Sequence, residues 1–519
     1  MRFYVLERGM QIPRRPNQDA AYLIRDKWDD YGFKTQFLLM YLDAKGDTSE
    51  IGVVKIGQFR MGNGGSVDIP DFFHKLSQRH FSLGQDDSYY ANLIELGPSK
   101  RQAILTDLND IALDQDLFEK ALLEQVTGKS LLRSVSVATV QNQFRRMATG
   151  GERTSDFSFK YVYPAKRTEC RPAELSFEVR PNSQPPTNVH VVIGSNGVGK
   201  SYLLQNIARI LVSEELDGSI GRITSYAPND YISAPAENLF ANVVSVAFSA
   251  FDNFEPLSTP QNRSTRILYK YIGLKRIPRS ASEKKQTLPP KDISTLAQEF
   301  GASVSACIQQ KRLRRWQRAM EMLESDPIFA DSRVADIADS EFDEAHLRSD
   351  ARQLFRDLSS GHKIVLLTMT RLVETLEERS LVLVDEPESH LHPPLLAAFI
   401  RALSYLLIDR NGVAIIATHS PVVLQEVPNN CVWKLRRFGE EVSAERPEIE
   451  TFGENAGILT QEVFGLEITK SGFHKLLEES VSPGKTYDDV LNEFSAHLGS
   501  EARALLQAFV TTRDSESQP

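Results

Sequence analysis

The sequence predicts an α/β fold around a largely parallel sheet, and three apolar segments carry that prediction. VHVVI from Val189, LVLV from Leu381 and VAIIA from Val413 are short and β-branched-rich, like strands buried on both faces of a parallel sheet. Each runs into chemistry-bearing residues at its carboxyl end, the edge where open α/β sheets bind ligands. GSNGVGKS follows the first, DEPES the second and THSP the third.

Taken in order, residues 1–150 carry no nucleotide motif and read as a separate α+β lobe. TQFLLMYLDAKGD and EIGVVKIGQFRM have the look of strands joined by turns. SYYANLIEL, KRQAILTDLNDIAL and LFEKALLEQV repeat apolar residues every three or four positions, as helices do. Asp43, Glu50 and Lys55 fall near strand ends, but their spacing is not that of a nuclease site. The core unit is expected over 151–475. It begins around Ser155 with alternating FSFKYVY and AELSFEV, then a Pro/Asn-rich turn, RPNSQPPTN. SYLLQNIARILV places Leu203, Leu204, Ile207 and Leu211 on one helical face. NVVSVAFSAFDNF reads as a further strand. A helical insertion is expected over about 255–356, with a helical part continuing through CIQQKRLRRWQRAMEMLE. A helix from Gly361, the LVLV strand, a helix and the VAIIATHS strand complete the core, and the rest is expected to be helical. Residues 476–519 form a C-terminal helical segment with a frayed tail.

Bulk properties narrow the function. The 519 residues, 41% hydrophobic and 25% charged, suit a globular protein, and no apolar run reaches membrane-spanning length. MRFYVLERGM lacks a signal peptide's apolar core, which predicts a cytoplasmic protein. Cys170, Cys307 and Cys431 are scattered and read as isolated reduced thiols. A net charge of -9 argues against a nucleic-acid-coated protein without excluding a local basic groove.

The motifs point to phosphate chemistry. GSNGVGKS fits G-x-x-x-x-G-K-[ST] between a strand and a helix. Gly194, Gly197 and Gly199 let backbone N–H groups turn inward, with Ser195, Asn196 and Val198 completing the loop. Lys200 supplies a point charge to β- and γ-phosphates, and Ser201 can ligate Mg²⁺. Asp385 would hold Mg²⁺, which prefers oxygen ligands. Glu386, one step beyond, can orient and deprotonate the attacking water. Thr418 and His419 close the third strand, where an imidazole can report the γ-phosphate. His390 and His392 lack metal-ligand spacing and read as loop residues. DLSSGHKIVLL from Asp357 is a second donor-rich turn opening a helix, a local anion-binding geometry.

GSNGVGKS, LSSGH, LVLVDE and the His of ATHS, in that order, resemble the ATP-binding cassette (ABC-type) ATPases. The resemblance covers about Ser155 to Leu466 and implies a P-loop NTPase head using ATP and Mg²⁺. It also implies that Ser359, Ser360 and Gly361 cap the γ-phosphate bound by a second subunit, in a homodimer or higher homo-oligomer. Ser360 stands where the family has its first Gly, and His362 where it has Gln. DEPESHLHPP is similar to the soluble recombination-mediator and overcoming-lysogenization-defect branch. TFGENAGILTQEVFGLE resembles ATPases of Septu-type and retron-associated antiphage systems. The family's Gln-containing loop would fall at Phe248 to Phe254, with Ser249 and Asp252 as candidates. After His419 no glycine-flanked glutamate or Asp-x-Asp pair follows, so the chain is not expected to be a nuclease itself.

Two readings remain. One is an ATP-driven switch controlling a separate effector, a nuclease, in antiphage defence. The other is a DNA-binding ATPase of recombination or repair, with Lys311, Arg312, Arg314, Arg315 and Arg318 around Trp316 as the DNA face. That helix reads equally as a solvated face anchored by Trp316. Lys275, Arg276 and Arg279 carry the same signal more weakly. A transporter motor, needing a membrane partner, fits least.

Overall fold

Seven strands form the central sheet, and its order explains why distant motifs meet. The order is Leu268–Gly273, Asn242–Ala247, Leu381–Asp385, Val413–Thr418, Val189–Ile193, Val432–Phe438 and Glu441–Glu445. All neighbours are parallel except the last pair, an antiparallel hairpin. In this computed structural model the described residues are all but 11, 14–18, 27, 63–64, 136, 152–153, 155, 165–171, 181, 214–217, 226–233, 236–238, 249–255, 258–266, 278–288, 310–311, 340–343, 440, 469–471, 496 and 517–519. Ser155, Cys170, Ser249, Asp252, Arg279 and Lys311 therefore lie outside the described residues.

The three predicted strands are fully buried, as their apolar runs require. Register sets Ile193 beside Thr418 and Asp385 beside Ala417, so all three motifs leave the sheet along one edge. One face is covered by the helix Lys200–Val212, where Leu203, Leu204 and Ile207 are buried and Leu211 is half-buried. A four-stranded antiparallel sheet containing Phe157–Val162 and Glu174–Val179 lies against the same core. The other face packs on Ile293–Gln309, Leu313–Leu323, Ser360–Thr375 and Pro393–Asp409.

Two expectations are corrected. The insertion is not helical throughout 255–356: Leu268–Gly273 is an edge strand of the central sheet, its Tyr269, Tyr271 and Ile272 turned into the core. Its helical part consists of Ile293–Gln309 and Leu313–Leu323. Nor is the chain purely helical after His419, because the hairpin Val432–Phe438 and Glu441–Glu445 extends the sheet beyond the phosphate-loop strand. The segment after it is helical, ending in Gly472–Ser480, Tyr487–Glu493 and Ser500–Glu516 around the small core of Val490, Leu506 and Val510.

The N-terminal lobe has a six-stranded sheet in the order Phe72–Phe73, Phe3–Leu6, Ala20–Arg25, Gln36–Leu42, Thr48–Gln58, His80–Gly84. Helices from Asp87–Glu95 onward share its core. Lys55 is buried in an ion pair with Asp30 at 2.7 Å, while Asp43 caps its own turn, so the two play structural parts in different places. Cys307 and Cys431 are buried free thiols, pushed up to about 12 by burial. Among the described residues, no helix is long and apolar enough to cross a membrane.

Candidate active site

The phosphate loop takes its shape from three glycines with different tasks. A Cβ on Gly194 would lie 2.4 Å from the Leu435 carbonyl of the adjacent strand, so that glycine allows close backbone packing. Gly197 and Gly199 adopt φ of +81° and +100°, the left-handed region that lets the loop curl. Val198 is tucked into the core, while Asn196 and Gly197 form the exposed tip and Ser195 is half-buried. Gly199 caps the helix Lys200–Val212, whose unpaired N–H groups face the loop's concavity.

Lys200 is buried and folds back, donating to the carbonyls of Gly194 at 2.8 Å and Ser195 at 3.2 Å. Burial pushes its pKa down, and the charges of Glu386, Glu388 and Asp385 oppose that shift. Its ammonium is thus held by weak neutral acceptors that phosphate oxygens can replace with stronger ones.

The Ser201 hydroxyl donates to Asp385 Oδ1 at 3.0 Å, 184 positions apart in sequence. Two converging hard oxygen ligands fit Mg²⁺, which takes carboxylate, hydroxyl and phosphate oxygens, better than a softer metal. Glu386 has φ of +44°, an uncommon left-handed geometry for a side chain bearing a Cβ. Its N–H is fixed by the Ala417 carbonyl at 2.9 Å, and its carboxylate lies 3.9 Å from His419 Nδ1. The structure thus brings Lys200, Ser201, Asp385, Glu386 and His419 to one edge.

Glu388 belongs to this group and was not singled out from sequence. One oxygen, Oε1, accepts from the Thr418 hydroxyl at 2.6 Å and the His419 N–H at 2.7 Å, and lies 3.2 Å from His419 Nδ1. A carboxylate accepts only, so this approach favours the tautomer with the ring hydrogen on Nδ1. DEPES offers three acids within four residues, and nothing in their spacing says which one meets the histidine.

The second donor-rich turn stands at the head of the helix Ser360–Thr375, with Ser359 as N-cap. Ser359 and Ser360 are exposed, whereas Gly361 is buried, and a Cβ there would lie 2.7 Å from the His390 carbonyl. The turn is wedged against the loop that follows Glu386 while its donors face outward. Ser359 Oγ lies 2.6 Å from His362 Nδ1, and His362 Nε2 lies 2.9 Å from Asp326 Oδ1. His390 contacts the Phe248 carbonyl at 3.3 Å and His392 is half-exposed, and no metal-holding cluster of three ligands occurs among the described residues.

The basic helix takes the anchored form of its two expected readings. Trp316 is fully buried and donates to Thr370 Oγ1 at 2.9 Å. Arg315 binds Asp409 at 3.0 Å and Asp86 at 3.4 Å. Arg312 donates to the Val373 carbonyl at 3.4 Å and to that of Glu374. Of Arg314, Arg315 and Trp316, expected as the possible DNA contact, Arg314 alone is exposed. The helix is anchored as a structural joint, with Arg312 and Arg315 matched by acids and carbonyls inside the molecule, while Arg318 lies over the Tyr405 ring.

Comparisons with known proteins give the following likenesses. A family profile described as "AAA domain, putative AbiEii toxin, Type IV TA system" matches residues 324–425, from Asp326's turn past His419. "Protein ea59" of Escherichia phage lambda is 39% identical over 544 aligned positions, covering 99% of each chain. "Septu protein PtuA" of Bacillus mycoides (strain KBAB4) is 21% identical over 332 positions, 59% of this chain and 45% of that protein. Among solved structures, an ATP-binding cassette of an ABC transporter in its ADP conformation has a TM-score of 0.30 at 16% identity, covering 61% of this chain and 99% of that one. A nucleotide-free cassette from an ABC transporter gives 0.27 at 15%, covering 60% and 96%.

Proposed function

This chain belongs to the family of protein ea59 of Escherichia phage lambda and is a P-loop ATPase of the ABC type; from that premise we propose that it works as a dimeric ATP-driven switch controlling a separate effector. The observation that carries this reading is the outward turn at Ser359 and Ser360. A donor-rich helix start exposed to solvent, fixed from behind by Gly361 against His390, is the kind of surface that caps a phosphate held by another molecule. Two copies head to tail would each complete the other's pocket, closing on ATP and opening after hydrolysis.

Within each pocket the chain's own groups divide the work. The loop N–H groups and Lys200 hold the phosphates. Ser201 and Asp385 would hold Mg²⁺, which when bound neutralises charge building on the phosphate oxygens. Glu386 orients the attacking water and takes its proton, while Glu388 keeps the His419 ring turned toward the same space.

The similarity to a Septu protein and the family description naming a toxin support a partnered role in defence against phage. A relative carried by a phage fits exclusion of a competing phage from the cytoplasm of a shared host. A nuclease is the effector this reading favours. The repair reading draws less support, since Arg315 and Trp316 are engaged internally.

Glu386→Gln tests the switch. Phosphate release should fall about a hundredfold or more, the scale of a lost general base. ATP should then trap a species of twice the chain mass in light scattering. Mass insensitive to ATP in that variant sinks capping between copies.

A further inference from the structure

The signature turn departs from its family where Gln gives way to His362, and the structure shows where that histidine is anchored. His362 is buried, with one nitrogen on Ser359 and the other on Asp326. Asp326 is itself buried, and it accepts the N–H of Ile328 at 3.0 Å as the cap of the helix Pro327–Ser332. Hydrogen bonds from His362 and from the backbone at Ile328 and Phe329 hold its carboxyl below the usual range against the opposing cost of burial. Asp326 is therefore an anion that can only accept.

That constraint settles the hydrogens along the chain of three. Facing a carboxylate, His362 Nε2 must carry a hydrogen. In neutral His362, Nδ1 is then a bare lone pair, and 2.6 Å from it Ser359 must turn its single hydrogen inward. Ser359 would then present only lone pairs to an approaching phosphate, acceptor against acceptor. In protonated His362, Nδ1–H donates to Ser359 Oγ and the serine hydrogen is released outward. The same proton places a positive charge directly behind the serine, balanced by Asp326.

We infer that His362 and Asp326 are positioning residues of the signature turn, and that docking of a nucleotide's terminal phosphate on Ser359 is coupled to uptake of one proton by His362. The inference rests on the proposed capping between copies. A Gln at this position would donate an amide hydrogen at any pH, so the substitution makes a constitutive contact proton-dependent. The other titratable neighbours are few. His392 has its ring centroid 6.3 Å from that of His362 and its Nε2 3.7 Å from Asp326 Oδ2. Lys363 directs its ammonium to the Leu358 carbonyl, and Phe329 packs its ring on the imidazole at 5.0 Å.

The experiment is titration calorimetry of ATP with Mg²⁺ at pH 8 in buffers of different ionisation enthalpy, on the hydrolysis-blocked Glu386→Gln chain. Dimer mass is measured in parallel. The expected result is that E386Q takes up about one more proton per nucleotide than E386Q/H362Q. Both chains should dimerise, and E386Q/H362Q should lose the weakening of ATP binding between pH 6 and 8 that E386Q shows, about tenfold per unit at the steepest. E386Q/H392Q should keep the uptake. Equal proton uptake in E386Q and E386Q/H362Q, with both dimerising, overturns the relay and leaves capping intact. If E386Q/H392Q loses the uptake instead, the proton belongs to His392 and the assignment to His362 is wrong. If neither chain dimerises with ATP, capping fails and takes the relay with it.

Discussion

Glu388 shows what a single side chain does that its neighbours cannot. Three acids close and follow the buried strand Leu381–Asp385, each facing a different partner: Asp385 the Ser201 hydroxyl, Glu386 the open pocket, Glu388 the backbone and ring of His419. Glu388→Ala should leave nucleotide binding close to normal, because it touches no phosphate-loop group. It should lower the hydrolysis rate roughly 10–100-fold, the usual scale when a functional histidine loses the hydrogen bond that orients it. Glu388→Gln, still able to accept from Thr418 and the His419 N–H, should lose less. Steady-state kinetics separate the outcomes: an unchanged kcat in E388A means that His419 is oriented by something else. The loop, Asp385, Glu386 and His419 were legible in sequence because each closes an apolar strand. Glu388 was not, since only the fold tells which acid turns back toward the third strand.

At the scale of an element, the helix Leu313–Leu323 carries the sharpest lesson. Its arginines resemble a nucleic-acid stripe, yet Trp316, Ala319, Met320 and Leu323 recur at helical spacing and are all buried. Arg312 adds hydrogen bonds to the carbonyls ending the signature helix, where a cation also suits the helix dipole. The sequence shows charge but not the acids that will meet it. The strand Leu268–Gly273 and the hairpin Val432–Glu445 escaped notice for a related reason, since their apolar runs are short and broken by Lys270, Lys434, Arg436 and Arg437. A helix this tightly held makes a definite prediction. Trp316→Phe removes the indole N–H and leaves the buried Thr370 hydroxyl without its donor, a loss of about 1–3 kcal/mol. Urea unfolding measures it. Arg314→Ala, exposed on the same helix, should fall within about 0.5 kcal/mol of the parent. Similar losses in both variants would mean that Trp316 is not the anchor.

Across the whole molecule, the N-terminal lobe is joined to the ATPase head by charges rather than by one continuous apolar core. Asp87 meets Arg410 at 2.9 Å, Arg315 reaches Asp86 and Asp409, Arg146 pairs with Glu378 at 2.5 Å, and Thr139 donates to Glu377 at 3.0 Å. On the head side these contacts fall on three places: the end of the helix Pro393–Asp409, which begins just after the Glu388 loop, the helix Leu313–Leu323 through Arg315, and the link from the helix Ser360–Thr375 to the Asp385 strand. A shift of any of these elements would therefore be felt at the joint. Polar joints of this kind are costly to half-remove. Arg410 and Asp87 are both almost fully buried, so Arg410→Met takes from the Asp87 carboxylate its 2.9 Å cation and leaves Arg315 at 3.6 Å. The expected loss is about 3–5 kcal/mol, whereas the double variant Asp87→Asn with Arg410→Met should recover much of it, because the Asp87 charge is gone. Thermal unfolding of the full chain reads this as a lobe that melts early in the single variant and rejoins the main transition in the double. If both variants melt alike, the pair contributes no more than a surface contact, and the lobe is held by its remaining bridges.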